Sequence, residues 1–128
     1  MRRGRGMGLI ERLISAVAKL APRYRDEIVV EVNDAGIFVT SGEDCIVFGW
    51  TEIDRIVAVG ETRLASNLLV LIFEFSDARR MVVDEMNPGW PSLIGEIARR
   101  LPTAAPAASW QLQLMAEPAS RVEVYHKR

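Results

Sequence analysis

The sequence predicts an α+β fold: an antiparallel β meander with an N-terminal amphipathic helix and one further helix at residues 90–101. Three stretches predict it. Apolar residues recur every three to four positions in residues 7–20, every second position from Ile28 onward, and every three to four positions again from Trp90 to Leu101. The first and last spacings are those of a helix with one buried stripe, and the middle one is that of half-buried strands.

The first element rests on Ile10, Leu13, Ile14 and Val17, which line one stripe, while Glu11, Arg12, Ser15 and Lys19 fall elsewhere. Pro22 stops the helix. The charged pair Glu11-Arg12 interrupts the apolar run, so it is neither a secretory signal nor a membrane span. A lone helix of this length is marginal in water, and its stripe needs cover. The protein's own sheet, a partner chain and a membrane surface are the three candidates. Met7 is a possible second start.

Strand alternation begins with Ile28, Val30 and Val32. Asn33-Asp34-Ala35-Gly36 is turn chemistry, so residues 28–40 read as a hairpin. Ser41-Gly42-Glu43-Asp44 turns the chain into a third strand, Cys45 to Trp50, with Ile46, Phe48 and Trp50 on one face. Cys45 in this apolar strand reads as a small buried hydrophobe. After a corner at 51–53, residues 55–61 form a strand. Leu68 to Phe75, the most apolar run, reads as the central strand. Ser76-Asp77-Ala78 turns into a strand over residues 79–84. The helix that follows has Pro91 in its first turn, Arg99 and Arg100 at its C-terminal end, and Pro102 beyond. Gly95 inside it permits close approach to the sheet. Residues 102–109 read as a linker. Trp110, Leu112 and Leu114 alternate with Gln111 and Gln113 in a strand-like period, and Val122 and Val124 mark a final strand that re-enters the sheet.

At 128 residues the chain is one domain's worth, divided here into a basic segment at 1–25 and a β-rich body at 26–128. Formal net charge is −1, but it is unevenly laid out. Residues 1–25 hold seven cations and one anion, whereas residues 26–54 hold eight anions and no cation. Mutual neutralisation and attraction to an anionic surface are the two readings. One Cys rules out an intrachain disulfide, and one His rules out a site needing two imidazoles. No nucleic-acid motif or phosphate loop is present; Gly4-Arg5-Gly6-Met7-Gly8 follows no strand.

The corner Trp50-Thr51-Glu52-Ile53, the junction Glu85-Met86-Asn87-Pro88-Gly89-Trp90 and the closing Arg121-Val122-Glu123-Val124-Tyr125-His126-Lys127-Arg128 resemble small bacterial proteins of pleckstrin-homology-like build, over residues 27–128. This chain departs from the usual pattern in continuing past the helix into a linker and a strand. The resemblance implies binding rather than catalysis, an immunity-type role against a toxin being one version.

Carboxylate pairs at Glu52/Asp54 and Asp84/Glu85 sit at strand ends, where charge is ordinarily solvated, and His126 has no orienting partner nearby in sequence. No catalytic residue, metal or cofactor is expected. The candidate site is a protein-binding patch of Trp50, Glu52, Asp84, Glu85 and Trp90, where aromatics anchor and acids select a basic partner. The candidate membrane or partner-helix face is Ile10, Leu13, Ile14 and Val17. The expected function is a cytoplasmic, non-catalytic protein-binding module, with self-association through uncovered strand edges. A peripheral membrane module and a binder of small apolar ligands are the alternatives.

Overall fold

A computed structural model describes residues 28–62 and 67–128. The expected helix at 7–20, with Ile10, Leu13, Ile14 and Val17, lies outside the described residues. The described part is α+β, with two antiparallel sheets and two helices.

Sheet A is a meander of β1 (Val29–Asn33), β2 (Gly36–Ser41) and β3 (Asp44–Phe48). The Asp34-Ala35 turn closes β1 onto β2 at the pair Asn33 and Gly36. Gly36 has φ +152°, and a Cβ there would overlap the Phe48 carbonyl, so only glycine fits. A 3₁₀ turn, Trp50–Glu52, ends sheet A, and the Glu52 carboxylate accepts a hydrogen bond from the Gly49 amide at 3.1 Å.

Sheet B contains β4 (Ile53–Thr62), β5 (Asn67–Phe75), β6 (Arg80–Asp84) and β7 (Arg121–His126) in the order β6-β5-β4-β7. The most apolar run is therefore an interior strand, as its composition predicts, and the last strand re-enters the sheet beside β4. The alternation of β5 puts Leu71, Phe73 and Phe75 on one face. Phe75 stacks on Phe48 with ring centroids 4.0 Å apart, which places sheet A against that face. Ile37, Ile53, Ile56, Leu71 and Phe73 are fully buried between the sheets.

Helix α1 (Trp90–Arg100) lies beside β1 and buries Trp90, Leu93 and Ile97. Among the described residues, nothing would meet a Cβ added at Gly95, so its expected approach to the sheet does not occur. Helix α2 (Ala107–Ala116) corrects the strand-like reading of Trp110–Leu114. Five residues of alternation also satisfy an i, i+4 pair. Trp110 and Leu114 form that pair and are buried, whereas Leu112 is 66% exposed. Trp110 meets Trp90 edge to face at 6.3 Å, and this contact joins the two helices. Cys45 is exposed, which corrects its expected burial. It sits on the outward face of β3, opposite to Ile46 and Phe48, at the edge of sheet A.

Candidate functional site

The loop from β6 into α1 is held by its own polar groups. Asp84, 1% exposed, accepts from the Met86 amide through Oδ1 at 2.9 Å. Glu85 pairs with β5 twice: its amide donates to the Leu69 carbonyl at 3.0 Å, and its Oε1 accepts from the Leu69 amide at 2.8 Å. Buried Asn87 then reaches out of the loop. Its Nδ2 donates to the Ile28 carbonyl at 2.8 Å, and its Oδ1 accepts from the Gly89 amide at 2.8 Å. Gly89 lies so close to β1 that a Cβ would overlap the Val30 carbonyl. A side chain at 89 would push the loop off the strand.

These contacts build one wall of an open groove of about 570 Å³, a volume in the range of ligand sites. Its other wall is Ile28 and β1, and the far rim is Pro88 and Ser92. Among the described strands, β1 stands at the edge of sheet A and pairs with β2. The closing pair of a two-residue hairpin is hydrogen-bonded, so the ladder bonds belong to Asn33, Glu31 and Val29. The peptide groups of Val30 and Val32 consequently point away from β2; Gly89 lies against the Val30 carbonyl, which leaves the Val32 group facing the groove. Val29 is 53% exposed at the groove, and Glu31 is exposed beside it. Among the described residues the groove's lining is one acid, Glu31, with valine, isoleucine, asparagine, proline, glycine and serine.

The candidate patch does not assemble. Trp50 and Glu52 sit where β4 begins, at the pair Ile53 and Phe75, whereas Asp84 pairs with Val70 at the other end of β5. Five residues of strand, about 17 Å, separate the two corners. Glu52 faces Arg79 at 3.8 Å, and the Trp50 ring donates from Nε1 to the Asn33 carbonyl at 2.8 Å. Trp90 is buried against Trp110. Asp84, Glu85 and Trp90 do stand together, as supports of the groove wall. Asn87 and Gly89 carry no signal as site residues in the sequence, because their role depends on the backbone of β1 and of Ile28, which lies 59 positions from Asn87.

A charged cluster closes the far end of α1. Arg100 bonds Glu96 at 2.6 Å and Asp34 of the β1–β2 turn, and its guanidinium lies 5.3 Å from the Trp50 ring centre. Arg99 holds the same Glu96 at 2.8 Å. Hydrogen bonds from Arg99, then Arg100, lower the Glu96 pKa, and the bond to Glu96 raises that of Arg100. Among the described residues, no group of three His, Cys, Asp or Glu is placed to hold a metal. His126 is exposed at the end of β7. A second cavity, between α1, α2 and β7, holds about 10 Å³, room for one water at most. No described helix is long and apolar enough to cross a membrane. Comparison of the chain with family models, with curated proteins and with solved structures finds no match.

Proposed function

We propose that the protein is a non-catalytic, cytoplasmic binding module that takes an extended segment of a partner protein along β1. One observation carries this reading: beyond the Ile28 and Val30 carbonyls, which Asn87 and Gly89 cover, the outward peptide group of Val32 faces a groove walled by a loop that side-chain hydrogen bonds hold in place. Edge strands invite pairing, and an added strand gains main-chain hydrogen bonds wherever the register fits. Glu31 favours a partner segment with a basic residue, and exposed Val29 favours a β-branched or aromatic neighbour. The two-sheet arrangement with a helix at one end accords with the pleckstrin-homology-like resemblance, which itself implies binding.

Selection of peptides from a random library tests the reading. Enriched peptides are expected to carry an extended apolar core with one or more basic residues. The variant Glu31→Lys is expected to weaken the selected peptide about tenfold, an effect of about 1.4 kcal/mol. Peptides that bind Glu31→Lys and Val29→Asp as well as the parent contradict the site.

A further inference from the structure

Sheet A has an outer face. The register sets Val29, Thr40 and Cys45 in one row across the three strands and Glu31, Phe38 and Val47 in the next. The rows between them, Val30, Val39 and Ile46, then Val32, Ile37 and Phe48, point the other way, into the core. The outer rows are open. Val29 is 53% and Val47 43% exposed, Cys45 is exposed and Phe38 is half-buried. Apolar residues exposed one by one are ordinary, but here three share a face with a threonine and a thiol, and Glu31 is its one charge. The rim is acidic. Residues 28–54, which build sheet A and the corner after it, contain six acids and no lysine or arginine. Arg100 and Arg79 reach in from later elements to Asp34 and Glu52. Glu31, on β1, and Glu43, in the turn beyond Thr40 and Cys45, make no ion pair among the described residues.

We propose that this outer face docks a basic amphipathic helix of another protein, its apolar stripe on Val29, Phe38 and Val47 and its lysine or arginine side chains beside Glu31 and Glu43. Size, anchor and charge each support that occupant. Three strands span about 10 Å, the breadth of one helix, and a helix laid on a sheet is ordinary layer packing. Phe38 stands on β2, the middle strand, where an aromatic anchor is surrounded by its neighbours. Glu31 and Glu43 attract cations and repel anions. A second copy of this chain would bring the same acids to the same rim, and an anionic membrane would meet them with like charge. The face is separate from the β1 groove, which Phe38, Thr40, Cys45 and Val47 do not line.

The test uses the full chain and a synthetic peptide of about 18 residues, five helical turns, with leucine along one stripe and lysine elsewhere. The same peptide with glutamate for lysine is the control. Cys45 is the one cysteine of the chain and stands in the face, so its alkylation reports cover. The lysine peptide is expected to slow that alkylation and to shift the amides of Phe38, Thr40, Cys45 and Val47; the glutamate peptide is expected to do neither. Val47→Lys should weaken the lysine peptide about tenfold and Glu43→Lys about threefold, with the Ile37 and Val39 methyl signals unmoved as the check on folding. Shifts confined to other surfaces, equal binding of the two peptides, or parent-like affinity in Val47→Lys overturn the proposal. So does protection of Cys45 that grows with protein concentration alone or on adding phosphatidylglycerol vesicles, since a second copy or a membrane would then occupy the face.

Discussion

Replacing Asn87 by Ala removes one hydrogen bond that ties the groove wall to Ile28, just before β1, and one that braces the wall itself. The Ile28 carbonyl loses its Nδ2 donor and the Gly89 amide loses its Oδ1 acceptor, both at 2.8 Å. Leaving a buried polar group without a partner costs about 1–3 kcal/mol. Ile28 is buried, whereas Gly89 is half-buried and regains part of its loss from water. The expected destabilisation is therefore about 2–4 kcal/mol, or roughly 8–16 °C in Tm at ~4 °C per kcal/mol. Urea unfolding followed by tryptophan fluorescence measures it directly. Asn87→Asp supplies a sharper signature. Its carboxylate still accepts from Gly89 but meets the Ile28 carbonyl with a lone pair. Protonation restores a donor, so this variant should regain stability as pH falls through the carboxyl range. A change within about 0.5 kcal/mol for Asn87→Ala would refute the claim that this side chain holds the wall.

Trp110→Ala removes a fully buried indole and its edge contact with Trp90, and is expected to cost about 3–5 kcal/mol in urea unfolding together with most of the near-ultraviolet circular dichroism. Ala78 turns β5 into β6 with φ +72°, a left-handed conformation, so Ala78→Gly should raise stability by about 1 kcal/mol in the same assay. Glu96 has its pKa lowered by Arg99 and Arg100 in the folded state, so its contribution is complete above the unfolded glutamate's pKa and is lost as pH falls through the lower folded value. Glu96→Gln should therefore flatten that part of the acid limb of a stability–pH profile. Cys45 should react stoichiometrically with a disulfide reagent in the native protein, without denaturant.

Alternation and helical spacing were enough to read most strands and α1, because burying one face imposes a period on the chain. Helix α2 escaped because Trp110, Leu112 and Leu114 satisfy both periods, and only the core around Trp90 decides between them. Cys45 was misread for a related reason: an apolar strand at a sheet edge buries one side only, and β3 turns Cys45 and Val47 outward. The Trp50 and Trp90 corners are both real, but their separation is set by the length of β5, which local pattern does not convey. The groove was least legible. It depends on Asn87 and Gly89 meeting the backbone of β1, and backbone carbonyls leave no mark on side-chain chemistry.

The central claim is that β1 receives a partner strand. Nuclear Overhauser contacts between a selected peptide and the protein test it most directly. Cross-strand contacts from peptide backbone protons to the Val32 amide, with shifts concentrated in residues 31–33 and 87–92, are the predicted result. Contacts confined to α2, or to the outer face of sheet B, would contradict it.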